Sequence, residues 1–471
     1  MSESRTAEKP RKIANIIADA IERDIIENRM AVGTPLATEA ELCRRYGASR
    51  WAIREAIAIV QNDGLITVRR GRAGGAEVSC TPSQALAAAI CGFLLYARMA
   101  NEHIVQARAV LDRLLFEASC TGPSETPRRA LEVLAVADRG DLHKLTTTDI
   151  FDAILDLSGS TATSVIASAL SKLTLCRLSL LGMVAVTPAR PDLSYRLLQL
   201  RYTQLRSFIG LDAEGAYRVT ADMAVLFRYL FAEFGAFPWP VKDMSQRRDI
   251  AAMIAQVLRP KQELKPAGVV STMLMLDAID MQAVGDGYLG SEVILAQRYG
   301  VPRNMLREGI RILERDGFIR TEQGRTGGIR IGEPDETEIV ERAARFFTFS
   351  RCPPDEIDAL VRDFRMLAID LLLAHAGSKE WLQDEFDRLS AQDGEPPVAS
   401  LFEGVARRTG NSLLLIIEKI GAALSPSDMP LADQRAWLAA MAASMADGGA
   451  PLLRRRISEL SRAQRAQPSA S

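Results

Sequence analysis

The chain has little of the residue types on which most metal and disulfide chemistry depends. It contains three histidines and six cysteines among 471 residues, and no two cysteines form a CxxC pair. Because zinc sites and disulfide frameworks need clustered or regularly spaced ligands, we expect neither. So few histidines also restrict histidine-based catalysis. The residues are His103, His143, His375, Cys43, Cys80, Cys91, Cys120, Cys176 and Cys352.

The chain also lacks the segments that mark membrane proteins and common enzymes. No uninterrupted apolar run reaches the length that crosses a bilayer, and the opening MSESRTAEKPRK lacks the apolar core of a signal peptide. No nucleophile–base pair, phosphate-binding loop or cofactor-binding lysine context stands out. The hydrophobic fraction of 48% and the charged fraction of 25% are typical of globular proteins. We therefore expect a cytoplasmic protein that is not an enzyme and holds no cofactor.

Charge is nearly balanced overall but is unevenly distributed. The net charge of -1 argues against general binding to polyanions. Residues 9–75 contain 12 Lys and Arg against 8 Asp and Glu, whereas residues 265–330 contain 9 against 8. The first segment is therefore the stronger candidate for a surface that contacts phosphates.

Two segments of the chain resemble each other. The stretch LCRRYGASRWAIREAIAIVQNDGLITVRRGRAGG begins at Leu42, and LAQRYGVPRNMLREGIRILERDGFIRTEQGRTGG begins at Leu295. They align without a gap, and close to half of the positions are identical. Convergent amphipathic helices would not reproduce RYG, RxxxRE, DG and GRxGG in register. The pattern therefore indicates a tandem duplication.

Each copy predicts three helices followed by a β-hairpin. In the first copy, apolar spacing predicts a helix over 13–26. Thr38 followed by Glu41 predicts a capping box at the start of the second helix, and Ser49 can cap the third. Two short strands around a glycine-rich turn complete a winged helix-turn-helix, and the second copy repeats it over about 266–331.

The remaining segments are rich in Ala and Leu with helical periodicity. The expected fold class is mostly α, with two winged helix-turn-helix domains that are each followed by an all-helical bundle. The predicted boundaries are 10–80 for the first winged helix-turn-helix, 82–235 for the first bundle, 236–264 for a linker with a helix, 265–332 for the second winged helix-turn-helix and 334–462 for the second bundle.

Arginines stand at the start of each predicted recognition helix, the helix that enters the major groove in this motif. Arg50 and Arg54 lie one turn apart in the first copy, and Arg303 and Arg307 repeat the pair. A guanidinium group can bind guanine O6 and N7 together or clamp a phosphate. The competing interpretation is a solvated arginine face without a partner.

The hairpin turns supply further candidates for DNA contact. Gly71 lets the backbone approach a phosphate closely, and Arg70 and Arg72 flank it with positive charge. The second hairpin keeps Gly324 and Arg325 and contains an acid nearby. We therefore expect the second module to bind DNA more weakly or to read a different half-site. The alternative is that it only packs or dimerises.

These residues resemble the DNA-binding signature of the GntR family of bacterial transcription regulators. The matching stretch is GTPLATEAELCRRYGASRWAIREAIAIVQNDGLITVRRGRAGG, and the second copy is similar to it. The resemblance implies DNA contacts from seven of the residues above: Arg50, Arg54, Arg70, Gly71, Arg303, Arg307 and Gly324. Many members carry an arginine in the capping-box segment, where this chain has Ala40 and Val293, so one usual contact is missing from each module.

The segments after each module resemble the FCD effector domain of the same family. FDAILDLSGS and FEGVARRTGN are similar to its FH-to-GN element, but Asp152 and Glu403 stand where a metal-binding histidine would be. We therefore expect no metal in either bundle. An organic-acid effector could bind through Arg108, Arg201 or Arg365. The competing interpretation is that these arginines are surface residues or have partners inside the core.

The leading functional hypothesis is a DNA-binding transcriptional regulator whose fused halves imitate a homodimer on double-stranded DNA. Such a regulator would be cytoplasmic and associated with the nucleoid, and the fusion is compatible with further homodimerisation. The alternative is a ligand-independent architectural or interaction protein in which the second module mainly dimerises. An enzyme fused to a DNA-reading module is the least favoured hypothesis.

Overall fold

The structure is a computed structural model that describes most of the chain. The described residues are 13–62, 65–68, 75–79, 81–122, 125–180, 191–234, 244–258, 266–282, 287–315, 317–322, 327–334, 336–374, 377–391, 397–424, 431–448, 453–457 and 459. Helices predominate among them, with two small antiparallel sheets. This confirms the mostly α class.

The first segment contains three helices and a hairpin. The capping box predicted at Thr38 is confirmed, because the Thr38 side chain accepts from Glu41 N and the Glu41 carboxylate accepts from Thr38 N at 2.8 Å. The strands pair antiparallel, with Ile66 opposite Val78. The elements are α1 (Ile13–Glu27), α2 (Glu39–Tyr46), α3 (Arg50–Asn62), β1 (Ile66–Val68) and β2 (Ala76–Val78).

The described residues between 82 and 258 are mainly helical. Thr81 caps the first helix by accepting a hydrogen bond from Gln84 N, with Pro82 in the first turn, where a missing N–H has no cost. The elements are α4 (Pro82–Tyr96), α5 (Asn101–Thr121), α6 (Arg128–Asp138), a 3-10 turn (Leu142–Lys144), α7 (Thr147–Ser158), α8 (Thr161–Leu180), α9 (Pro191–Ile209), α10 (Ala213–Phe234) and α11 (Met244–Leu258).

The segment from 266 to 331 repeats the order of elements of the first segment and adds a strand. Residues 288–290 form a strand that pairs with the last strand of the hairpin, so that the three-stranded sheet has the order β3-β5-β4. This strand was not predicted from the sequence. The elements are α12 (Pro266–Met281), β3 (Tyr288–Gly290), α13 (Glu292–Tyr299), α14 (Arg303–Arg315), β4 (Ile319–Glu322) and β5 (Gly328–Ile331).

A second group of helices ends the described chain. Its first helix is amphipathic and buries Val340, Ala343, Phe346 and Phe347. The elements are α15 (Glu336–Phe349), α16 (Pro354–Leu373), α17 (Ser378–Ala391), α18 (Pro397–Thr409), α19 (Ser412–Leu424) and α20 (Leu431–Gly448).

Each half of the chain contributes residues that pack against the other half. Helix α15 of the second half packs on α4 and α1 of the first half. In turn, Tyr96 at the end of α4 stacks on Phe318 at 4.6 Å, and its hydroxyl lies 2.8 Å from Phe318 O and 2.9 Å from Gly332 O. Helices α5 and α16 cross between the halves, where Arg113 pairs with the buried Asp363 at 2.7 Å.

The buried apolar residues do not form one uniform core. Most of those of 13–78 form a cluster around Ile21, Ile53 and Val60, whereas Ile26 belongs to the large cluster of the body. Those of 266–331, including Leu306 and Ile310, belong to the large cluster that also holds α4, α8 and α16. The second segment is therefore part of the main body, whereas the first has its own core. Within the described ranges, no helix is long and apolar enough to cross a membrane.

Candidate nucleic-acid interface

A tight turn between α2 and α3 sets the direction of α3. Gly47 ends α2 in the left-handed conformation (φ 59°) and donates its N–H to Cys43 O. Glycine adopts this conformation without the steric cost of a β-carbon. Ser49 then accepts a hydrogen bond from Ala52 N at 3.3 Å, as predicted, so that α3 begins at Arg50.

Helix α3 has one buried face and one exposed face. Ile53, Ala56 and Val60 are buried against α1 and the hairpin. Arg50 and Arg54 are exposed, as a DNA-reading face requires. The exposed face is therefore free to enter a groove while the opposite face anchors the helix.

An acid on α2 orients the second arginine. Arg54 Nε donates to Glu39 Oε2 at 3.0 Å, while 69% of the Arg54 side chain stays exposed. This contact uses Nε, so it does not need the terminal nitrogens that bind a base edge or a phosphate. Exposed ion pairs add little stability. Glu39 therefore acts mainly on the direction of the guanidinium group.

A second polar contact ties α2 to α1. Tyr46 donates to Asp24 Oδ2 at 3.2 Å, and Arg45 pairs with the same oxygen at 2.9 Å. Burial and the neighbouring Asp24 carboxylate raise the pKa of Tyr46, so its hydroxyl remains a donor at neutral pH. These contacts tie the end of α2 to α1.

The same contacts occur in residues 266–331 at a constant spacing along the chain. Arg307 Nε donates to Glu292 Oε2 at 2.8 Å. Tyr299 donates to Asp277 Oδ2 at 2.5 Å, and Gly300 ends α13 in the left-handed conformation (φ 61°). Arg303 is also exposed at the start of α14.

The predicted DNA contacts in the hairpin turns lie outside the described residues. They are Arg70, Gly71, Arg72, Gly324 and Arg325. The contacts predicted for them stay predictions.

The arginines proposed for an effector in the first bundle have partners inside the core. Arg108 donates to Thr174 at 3.3 Å and lies over the Phe227 ring. Arg201 donates to Gln204 at 2.6 Å and lies 3.9 Å from Asp112. Five of these polar side chains are almost completely buried: Arg108, Asp112, Thr174, Arg201 and Gln204. Burial raises the pKa of Asp112, against the attraction of Arg108.

The arginine proposed in the second bundle is likewise paired. Arg365 forms a bidentate ion pair with Glu418 and lies 4.6 Å from the centre of the Phe402 ring. Arg201 lies at the same distance over Phe151 in the first bundle. Within the described residues, no group of three His, Cys, Asp or Glu side chains could hold a metal ion.

Two features of the candidate interface were not found from the sequence. Trp51, beside Arg50, exposes 72% of its surface at the start of α3. This exposure could have been predicted, because the helical spacing that buries Ile53 and Ala56 places Trp51 on the exposed face of α3. Glu39 and Glu292 were missed because they lie on the helix before the recognition helix, and only the folded turn brings them to the arginines.

Comparison with known proteins supports this interface in the first segment. The family model described as "Bacterial regulatory proteins, gntR family" matches residues 13–74. The Glc operon transcriptional activators of Escherichia coli K12 and of E. coli O6:H1 are each 40% identical over 62 residues, which is 13% of this chain and 24% of each relative. The similarity therefore spans about a quarter of these relatives.

A solved structure, Streptococcus agalactiae GntR, is also similar to part of the chain. It is 14% identical and covers 46% of this chain and 99% of its own, with a TM-score of 0.25. A score this low supports no argument about the fold. The family match and the helix-turn-helix geometry together show that residues 13–74 are a helix-turn-helix DNA-binding domain of the GntR type.

Proposed function

We propose that the whole chain is a transcriptional regulator with two DNA-reading modules, in which residues 266–331 are a second winged helix-turn-helix. One observation carries this proposal: the arginine–glutamate contact of α3 and α2 recurs between α14 and α13. A segment kept only for packing has no need of an exposed arginine held in this way. The tyrosine–aspartate contact and the left-handed glycine recur with it.

Two modules in one chain fit an operator with unequal halves. Paired helix-turn-helix modules bind half-sites about one helical turn apart. The exposed residues differ between the modules: Trp51 on α3 corresponds to Asn304 on α14. The FCD-like bundles would set the separation of the modules, and the regulator would act in the cytoplasm on nucleoid DNA, as a single chain or as a homodimer.

The paired arginines bear on the proposed organic-acid effector. A carboxylate that binds Arg108 or Arg201 must compete with Asp112, and one that binds Arg365 must displace Glu418. Displacing a buried ion-pair partner is costly unless the ligand replaces its hydrogen bonds. An effector at these residues would therefore have to reorganise the core.

The alternative, an architectural protein whose second module mainly packs or dimerises, has its own support. The apolar residues of 266–331 merge with the main core, and Tyr96 contacts Phe318 there. A module embedded in this way is a structural part of the body. The two functions differ in whether α14 contributes to DNA affinity.

The deciding experiment measures binding of the full chain to genomic fragments by fluorescence anisotropy over a range of salt concentrations. The double variant Arg50→Ala/Arg54→Ala should abolish specific binding, because each lost base contact costs about 1–3 kcal/mol. The double variant Arg303→Ala/Arg307→Ala should weaken binding less.

Arg218→Ala is the matched control, since this arginine is equally exposed but lies on α10, outside both modules. It should bind as the unaltered chain does. If the α14 variant binds at full affinity, the second module does not read DNA and the alternative holds. If the unaltered chain shows no salt-dependent, sequence-selective binding, the regulator function is wrong.

A further inference from the structure

A cleft of about 980 Å3 lies between the first module and the helical body. Its walls come from the end of α1, the start of α4, helices α6 to α8 and the end of α15, so both halves of the chain contribute. This volume is at the upper end of the range of small-ligand sites, which often lie between domains. A ligand here would contact the DNA-binding domain and the body at once.

Part of the cleft is apolar. Ile26 and Met30 line it from the α1 side, Leu155 and Val165 from α7 and α8, and Phe346 from α15. Such a surface favours a ligand with an apolar body.

The α7 side of the cleft has an excess of negative charge. Asp152 and Asp156 both pair with Arg129, at 3.5 Å and 3.4 Å. The charges of Asp149 and Lys172 also act on Asp152, so that three acids stand against two cations here. Burial raises the pKa of both aspartates against the attraction of that arginine. A further cation at this side would stabilise the ionised pair.

A second group of lining residues has an excess of positive charge. Arg29 follows α1 and Arg351 follows α15, and both side chains are exposed at the cleft. Glu27 is the one acidic residue among those that line the cleft from the ends of α1 and α15. Both arginines have left-handed backbone (φ 47° and 53°), which residues with a β-carbon adopt rarely. Because two guanidinium groups stand against one carboxylate, this part of the cleft has a net positive charge and can bind an anion.

The start of α4 offers a hydrogen-bond acceptor with no donor. Gln84 lines the cleft, and within the described part of the chain its Oε1 atom is buried and has no hydrogen-bond partner. Buried acceptors are nearly always satisfied in folded proteins. An N–H group of a ligand would satisfy this one.

We propose that the cleft binds a small zwitterion with an apolar side chain, a free amino acid or a short peptide, and that binding fixes the first module against the body. The ammonium group faces Asp152 and Asp156, the carboxylate faces Arg29 and Arg351, and the apolar part lies on Ile26 and Phe346. The effect on DNA rests on the proposed function, because a ligand shifts DNA affinity only if it prefers one placement of the module. The binding itself does not rest on it.

The test uses calorimetry and thermal-shift measurements on the full chain without DNA. The probes are the twenty free amino acids, leucine-containing dipeptides and two matched fragments of leucine: 4-methylpentanoate, which lacks the ammonium group, and isopentylamine, which lacks the carboxylate. We expect saturable binding of one or more zwitterions and none of the fragments. The comparison of free amino acids with dipeptides identifies the source.

Arg351→Ala and Asp156→Asn should each weaken binding at least tenfold. Arg128→Ala is the control, since Arg128 precedes Arg129 but does not line the cleft. If none of the zwitterions binds saturably, the proposed site is wrong. It is also wrong if the Arg351→Ala variant binds the zwitterion as tightly as the unaltered chain does. Binding that leaves DNA affinity unchanged overturns the regulatory part alone, and binding by a chain that does not recognise DNA overturns the proposed function alone.

Discussion

The exposed tryptophan at the start of α3 distinguishes the first segment from the similar segment 266–331. Single exposed apolar residues are common on protein surfaces. Trp51, however, lies between two exposed arginines on the helix that we predict to enter the groove. Tryptophan and arginine are the residue types that dominate binding energy at interfaces. At a base edge, an indole ring would contact the thymine methyl group.

Trp51 should therefore report DNA binding by fluorescence. Binding buries the indole, so emission should shift when operator DNA is added, and Trp51→Phe should remove most of that shift. Trp51→Ala should weaken specific binding by about 1–2 kcal/mol, the scale of an interface aromatic. Trp381→Phe serves as the control, because Trp381 lies on α17. A shift that survives in Trp51→Phe would contradict this placement.

Which residues could be predicted from the sequence depends on the range of their contacts. The caps at Thr38 and Ser49 form within a single helical turn, and both predictions are confirmed. The partners of Arg108 and Arg365 come from helices far along the chain, and no local pattern identifies them. The internal partners of these arginines could therefore not be predicted from the sequence, and the effector contact stays a prediction.

Among elements, the contact between α1 and α15 links the first module to the second half of the chain. Arg345 lies 3.6 Å from both Asp19 and the buried Glu22, and Arg23 lies over the Phe349 ring at 4.7 Å. The similarity between the two segments of the sequence does not predict that α15 packs on helices of the first half of the chain. The same limit explains β3, a three-residue strand that is defined by its pairing with the distant β5.

Arg345→Ala should loosen the attachment of the first module. Removing the cation leaves the Glu22 carboxylate in a poorly solvated position without this partner, which we expect to cost about 1–3 kcal/mol. Amide hydrogen exchange should speed up along α1 and α15 and remain unchanged in α17. The control is Arg388→Ala, which removes an ion pair internal to α17. Unchanged exchange in α1 would show that Arg345 does not hold the module.

At the scale of the whole molecule, the two similar segments have different mechanical roles. Most of the core of 13–78 is a separate cluster that meets the body at Ile26 and along α15, and the core of 266–331 is continuous with the body. Stability in a protein is distributed over units that open independently when few contacts join them. The first module should therefore unfold by itself, and the second should unfold only together with the helices around it.

A matched pair of substitutions tests this difference. Ile53 and Leu306 occupy corresponding positions of α3 and α14, and both are fully buried. Truncation to alanine should cost about 2–5 kcal/mol at either site. Ile53→Ala should lower only the unfolding temperature of the first module in calorimetry and raise hydrogen exchange only in α1 to α3. Leu306→Ala should lower the main transition and raise exchange from α4 to α16. If both variants shift the same single transition, the chain unfolds as one unit. The prediction that the first module unfolds separately from the body is then wrong.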